Sequence, residues 1–186
     1  MHEPSRPIRK VAMPAERFVE QLNTQIGHEF AAHQQYVACA VYYDALTMPQ
    51  MASFFYGQAM EERDHAMMMV RYLLDSDAPV RVPGVRAPHV DFADVVAPVE
   101  LALNQERQVA AQINELTKIA REESDFASEV FTQWFIKEQV EEVATMSDLL
   151  AVVRRSKDNI EAIEEYVQRE QSAQGADPTA PAIAGG

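Results

Sequence analysis

The sequence predicts an all-α protein: a left-handed four-helix bundle with one long crossover and a short fifth helix. Three observations carry that expectation. Four long segments repeat apolar residues at three- and four-residue steps, the period of a helix with one buried face. Glycine is scarce, six in 186 residues, and the ten prolines gather mainly at the N-terminus, in one central stretch and in the tail. Between the second and third periodic segments, residues 76–98 show no period at all. A connection of that length inside a compact domain serves a topological purpose, here a crossover joining two helices that point the same way.

Residues 1–13 read as a loose N-terminal arm, and 14–170 as the folded domain. Pro14 suits a first helical turn and is followed by Glu16. The first helix, 14–44, carries Phe18, Leu22, Ile26, Glu29, His33, Tyr36, Ala40 and Tyr43 on its inner stripe. Thr47 and Pro49 mark a cap and restart. The second helix, 48–75, places Met51, Phe54, Phe55, Gln58, Glu62, His65, Met69 and Leu73 inward.

Pro79, Pro83, Gly84, Pro88 and Pro98 punctuate the crossover. The third helix, 95–123, has the stripe Val99, Leu103, Glu106, Ala110, Ile113, Leu116 and Ala120. Ser124 or Asp125 caps the fourth, 125–155, which runs Phe131, Phe135, Gln139, Glu142, Met146, Leu149 and Val153. Asp158 and Asn159 open a fifth, 158–170, with Ile160, Ile163 and Val167 on its apolar side. From 171 to 186 the composition turns to Ala, Pro, Gly and Ser, which predicts a flexible tail.

Composition excludes several functions. A formal charge of −13 argues against nucleic acid and suits cation binding. A single cysteine forbids an intrachain disulfide and favours a reducing compartment. No apolar run approaches the roughly 20 residues of a membrane span. The first fourteen residues contain no apolar core of a secretory signal, so the expectation is a cytoplasmic protein.

The chemistry lies on the inner stripes. Glu62 and His65, three residues apart, share one helix face, and that face is the apolar one. Glu29 and Glu62 stand 33 positions apart, as do Glu106 and Gln139. A shift of 77 carries Glu29 onto Glu106, Glu62 onto Gln139 and His65 onto Glu142. Two helical hairpins therefore present one constellation twice, imperfectly: Glu-x-x-His in the first, Gln-x-x-Glu in the second. Any single glutamate reads as an ordinary surface residue, but four on four inner stripes do not. Buried carboxylates without Lys or Arg partners are costly. Two divalent metals would neutralise them, and this carboxylate-rich set with one imidazole suits iron or manganese better than zinc.

With Gln-Trp-Phe-Ile-Lys-Glu-Gln-Val-Glu-Glu at 133–142 and Ala-Met-Glu-Glu-Arg-Asp-His-Ala-Met at 59–67, the chain resembles the non-haem bacterial ferritins, those of actinobacteria most closely. The likeness covers roughly residues 16–170 and implies a ferritin-like di-iron domain. By resemblance, Glu29, Glu62 and His65 hold the first iron, while Glu62 bridges to a second held also by Glu106 and Glu142. Gln139 falls at a site glutamine that hydrogen-bonds, and Tyr36 at a site tyrosine that donates a hydrogen bond and is a candidate electron source. Glu61, Glu138 and Glu141 match a third iron site of some bacterial ferritins. The resemblance further implies ferroxidase activity with dioxygen or peroxide as oxidant, a homo-oligomeric shell of twenty-four subunits, and ferric mineral inside it.

Two features separate the chain from bacterioferritins. Position 141, three after Glu138, is Glu rather than His, and Arg63 stands where they carry the haem-binding methionine. No haem is therefore expected. DNA-protecting mini-ferritins build their site between subunits and lack the fifth helix. Two other functions stay open: a di-iron oxidase acting on an organic substrate, and a storage subunit that leaves oxidation to partners. The Ala/Pro-rich tail is also a candidate docking segment for a larger compartment.

Other conspicuous residues have plainer readings. Met67, Met68 and Met69 point in different directions on a helix and read as packing; Cys39 reads as a small buried residue. Trp134 reads as core, with a redox role the alternative, and His33 as a satisfied core histidine. His2, His28 and His89 have no partner pattern. Glu129 matches a pore position, but Thr132 one turn on weakens an acidic funnel.

Overall fold

The computed structural model describes residues 13–171 and 177–185. The five helices are α1 (Glu16–Ala45), α2 (Pro49–Asp75), α3 (Ala97–Glu122), α4 (Phe126–Arg155) and α5 (Ile160–Gln171), with no strand among the described residues. Each lies within two residues of its expected bounds. The reason is local: Pro49 and Pro98 sit in the first turns of α2 and α3, where a missing N–H costs nothing. Asp125 caps α4 by accepting from Ser128 N at 3.1 Å.

Three helices end alike. Thr47, Asp77 and Ser124 adopt φ of 59°, 55° and 57°. The N–H groups of Met48, Ala78 and Asp125 then reach back to the carbonyls of Tyr43, Leu73 and Ala120 at 3.0, 2.9 and 2.8 Å. This is a Schellman closure made without glycine, at roughly 1 kcal/mol of backbone strain each.

The crossover runs along α1 as a strap. Asn23 donates to Pro79 O at 2.9 Å and accepts from Arg81 N at 2.5 Å. Gly27 lets Pro83 sit directly on the helix: a Cβ there would lie 2.7 Å from Pro83 Cγ. Gln35 exchanges two 2.8 Å hydrogen bonds with the backbone of His89, and the Tyr43 hydroxyl donates to Val95 O at 2.7 Å. From Asn23 to Tyr43 is roughly 30 Å of helix, so the crossover spans most of the bundle and returns the chain parallel to α2.

The core has two apolar parts. One, near the α1–α2 turn, is built on Tyr36, Tyr43, Met48, Met51, Phe55, Val99, Met146 and Val153, and α5 joins it through Ile163 and Val167. The other, at the opposite end, is built on Phe18, Leu22, Ile26, Met69, Leu73, Ile113, Leu116 and Phe135. Ile160, expected on the apolar side of α5, is instead exposed, because the helix begins there and turns only its middle inward. Glu164 of α5 accepts from the backbone N–H groups of Gln50 and Met51 at 2.8 and 3.0 Å, so the fifth helix caps the second.

The termini divide. The expected N-terminal arm, except Met13, lies outside the described residues. Composition predicts a flexible tail over 171–186, yet residues 177–185 make specific contacts. Ala184 N donates to Met67 O at 3.2 Å, and Ala180, Ile183 and Ala184 pack on the second core cluster. No described helix is long and apolar enough to cross a membrane.

Candidate metal centre

Between the two apolar clusters lies a polar layer to which each of the four long helices contributes. Glu29, Glu62, His65, Glu106, Gln139 and Glu142 are all buried, with Glu106 at 0% and Glu142 at 6% exposure. Helical spacing explains their arrival: each replaces an apolar residue on a stripe that already faces inward.

The α1–α2 half is the tighter one. One ligand atom each from Glu29, Glu62 and His65 lies within 4.8 Å of the other two. Glu62 Oε2 stands 3.5 Å from His65 Nδ1. The His65 ring is lodged edge-on between aromatic neighbours, 5.7 Å from Trp134 and 5.8 Å from Phe135. Among the described residues, no such triad includes Glu106 or Glu142. Glu106 instead accepts a short hydrogen bond from the Tyr36 hydroxyl of α1.

Electrostatics show what the layer lacks. Burial, then the charge of Glu62, holds the Glu29 carboxyl well above the usual glutamate range. Burial, then the charge of Glu106, does the same for Glu62 and for Glu142. Glu106 is raised by burial against the opposing hydrogen bond from Tyr36. Burial, then the Glu106 charge, keeps the Tyr36 phenol protonated and hence a donor. Two unit charges about 4 Å apart repel by roughly 4 kcal/mol at an effective dielectric of about 20. No Lys or Arg ion pair reaches these four carboxylates among the described residues. Glu29 Oε2, Glu62 Oε2, Glu106 Oε2 and Gln139 Oε1 are buried without a hydrogen-bond partner. Hard oxygen atoms left unpaired around an imidazole in a dry interior fit divalent cations of the iron or manganese type.

Two residues of the layer escaped the sequence reading as participants. Gln25, fully buried, donates to Glu29 Oε1 at 2.8 Å and so orients that carboxylate. Its place one turn before Glu29 was the available signal. Gln58, on the inner stripe of α2, is the other, and its amide donates to Glu61.

The other candidates are placed as follows. Glu61 and Glu141 are exposed and Glu138 half-buried, and Glu141 pairs with Lys137 at 3.6 Å. These three do not converge as the buried triad does. Arg63 is exposed and pairs with Asp64 at 2.5 Å. His33 Nδ1 meets Ala59 O at 2.6 Å, the contact of a satisfied histidine. Cys39 is fully buried, and burial pushes its thiol up to about 12. Met68 and Met69 are core residues. Glu129 is taken up by Arg121 at 2.6 Å, and Thr132 is buried against Thr117.

Fold and site together define a four-helix bundle with a buried carboxylate–histidine cluster suited to metal. Comparison with known proteins makes the class specific. The ferritin-like domain profile matches residues 19–156. The chain is 50% identical over 170 residues to Ferritin BfrB of Mycolicibacterium smegmatis, covering 91% of this chain and 94% of that protein. It is 34% identical over 154 residues to the bacterial non-heme ferritin of Staphylococcus aureus, covering 83% and 93%. Among solved structures, an open-pore ferritin from the archaeon Archaeoglobus fulgidus matches with a TM-score of 0.80 at 30% identity, covering 87% of this chain and 99% of that one. The chain belongs to the ferritin family.

Proposed function

We propose that this protein is an iron-storage ferritin that oxidises Fe(II) within each subunit and keeps the product as ferric mineral inside a shell of twenty-four copies. The observation that supports this best is the buried Glu29–Glu62–His65 triad, with unpaired carboxylate oxygens facing a second pair, Glu106 and Glu142. Fe(II) is the substrate. One ion is held by Glu29, Glu62 and His65, a second by Glu62, Glu106 and Glu142. Glu62 would be the carboxylate shared by the two, since it is buried in the triad with Glu29 and His65 and carries an unpaired oxygen.

Each Fe(II) gives one electron to dioxygen or peroxide. Carboxylate oxygens favour that step because hard anionic donors stabilise Fe(III) more than Fe(II). Tyr36 steadies Glu106 of the second pair by donating a hydrogen bond to it, and Gln139 lies in the same buried layer. Gln25 fixes Glu29 in the same way. The Fe(III) product leaves the site and hydrolyses to mineral. Glu61, Glu138 and Glu141, exposed or half-buried, are the candidates for a third iron site. Arg63 supplies no haem ligand, so the reading is of a haem-free, cytoplasmic protein.

Glu62→Ala and His65→Ala each test the site. Fast Fe(II) oxidation is expected to disappear while light scattering still shows an assembled shell. Wild-type rates in an assembled variant would end the assignment. Storage is tested by the iron-to-protein ratio of the intact particle after aerobic Fe(II) addition.

A further inference from the structure

Trp134 is the single tryptophan of the sequence. Its ring meets the His65 ring edge-on at 5.7 Å and 72°, and packs on Phe135 at 4.9 Å. The indole is only half-buried, and its N–H does not turn to solvent. It donates to Asp177 Oδ2 at 3.2 Å. The site reading does not account for that contact, because Asp177 lies beyond the last helix.

The Asp177 carboxylate is set for this task. Thr179 N and Thr179 Oγ1 donate to Oδ1 at 2.8 and 2.7 Å, which leaves Oδ2 for Trp134 and for the Lys137 ammonium at 3.5 Å. Those Thr179 bonds hold the Asp177 carboxyl down at about 2, so it accepts at any physiological pH. Seven residues on, Ala184 N donates to the carbonyl of Met67, two residues from His65. Segment 177–185 thus runs from α4 to α2 across the seam that His65 and Trp134 share. Ile183 and its alanine neighbours pack on the apolar cluster below.

Among the described residues, no carbonyl or carboxylate hydrogen-bonded to His65 fixes its ring plane. The carboxylate oxygen paired with His65, Glu62 Oε2 at 3.5 Å, is itself a candidate ligand. Ring orientation therefore depends on the aromatic walls, and one of those walls is held by the tail. We infer that Asp177 is a positioning residue of the iron site: it holds Trp134 against His65, and so makes the C-terminal segment part of the metal centre. This rests on the ferroxidase reading, in that His65 is taken as an iron ligand.

The test is anaerobic Fe(II) binding to the full-length, assembled protein, measured by titration calorimetry beside the Trp134 emission spectrum. Asp177→Ala is expected to shift the emission and to weaken the first Fe(II) equivalent by about tenfold, the lower end of what losing an outer partner costs a metal site. Asp177→Asn, which keeps an oxygen acceptor for the indole N–H, is expected to recover most of both signals. In a Trp134→Phe background, Asp177→Ala is expected to have no further effect on affinity, since the coupling passes through the indole.

Wild-type affinity in Asp177→Ala would overturn the inference. So would an equal loss in both backgrounds, which would show the tail acting by another route. Glu62→Ala serves as the separate control. If it binds Fe(II) as the wild type does, the site reading itself fails, and that failure is distinguishable from a silent Asp177.

Discussion

The two hairpins carry the same constellation 77 residues apart and use it differently. The α1–α2 hairpin brings two carboxylates and an imidazole to within 4.8 Å. The α3–α4 hairpin brings two carboxylates and an amide, and its Glu106 is steadied from the other hairpin by Tyr36. Formal charge is equal in the two halves, two carboxylates each. What differs is the third group: imidazole is a good ligand for iron, whereas an amide oxygen is a weak one. Exchanging the order of the residues, Glu-x-x-His against Gln-x-x-Glu, also places the carboxylate proposed to be shared, Glu62, on one side only. An approximate duplication thus produces one tight half-site and one loose one.

The largest effect should come from the residue common to both halves. Glu62→Ala is expected to slow Fe(II) oxidation by more than about 100-fold, beyond the usual cost of losing an outer partner of a ligand. Stopped-flow oxidation kinetics measure it.

A comparison of His65→Ala with Glu142→Ala sharpens the contrast between halves. Anaerobic Fe(II) titration should show that Glu142→Ala keeps the tight first equivalent and loses the second. His65→Ala should lose the tight one. Equal titration curves for the two variants would erase the proposed asymmetry.

The third prediction concerns the metal-free protein and pH. Burial raises Glu62 well above the ordinary glutamate value of 4.5. A carboxyl with a raised folded value contributes stability that is complete below its unfolded value and is lost as pH rises through the folded one. Metal-free wild type should therefore lose stability from about pH 5 upward relative to Glu62→Gln, which has no carboxyl to ionise. Denaturant midpoints at acid and neutral pH read the difference, and parallel profiles would show that the buried charge is not its source.

Smaller effects follow. Tyr36→Phe leaves Glu106 with a buried, unmet acceptor, at a cost of about 1–3 kcal/mol in the metal-free protein. At the other extreme, exposed Thr47 holds φ of 59°. Thr47→Gly should relieve about 1 kcal/mol of strain and raise the unfolding midpoint, with no change in iron binding.

Much of this was readable before any coordinates. Glu29, Glu62, His65, Glu106, Gln139 and Glu142 stood out because a polar residue on an apolar stripe interrupts a regular period, and six such interruptions share one spacing. Helix bounds were readable from Pro49, Pro98 and Asp125, which act locally. Gln25 was less visible, since it flanks the stripe and gains meaning only from the carboxylate one turn on. Glu164 and Asp177 were not visible at all. Their partners, the start of α2 and Trp134, lie 114 and 43 residues away.

The sequence by itself determined the helices, the crossover and the residues that line the polar layer, because each follows from periodicity and from residues that start or stop a helix. Tertiary structure alone decided which of those polar residues meet. It seated Pro83 on Gly27, set Glu164 as the cap of α2, and laid the C-terminal segment beside His65. Such contacts depend on where separate helices come to rest, and that is settled by packing the whole core rather than by any local pattern.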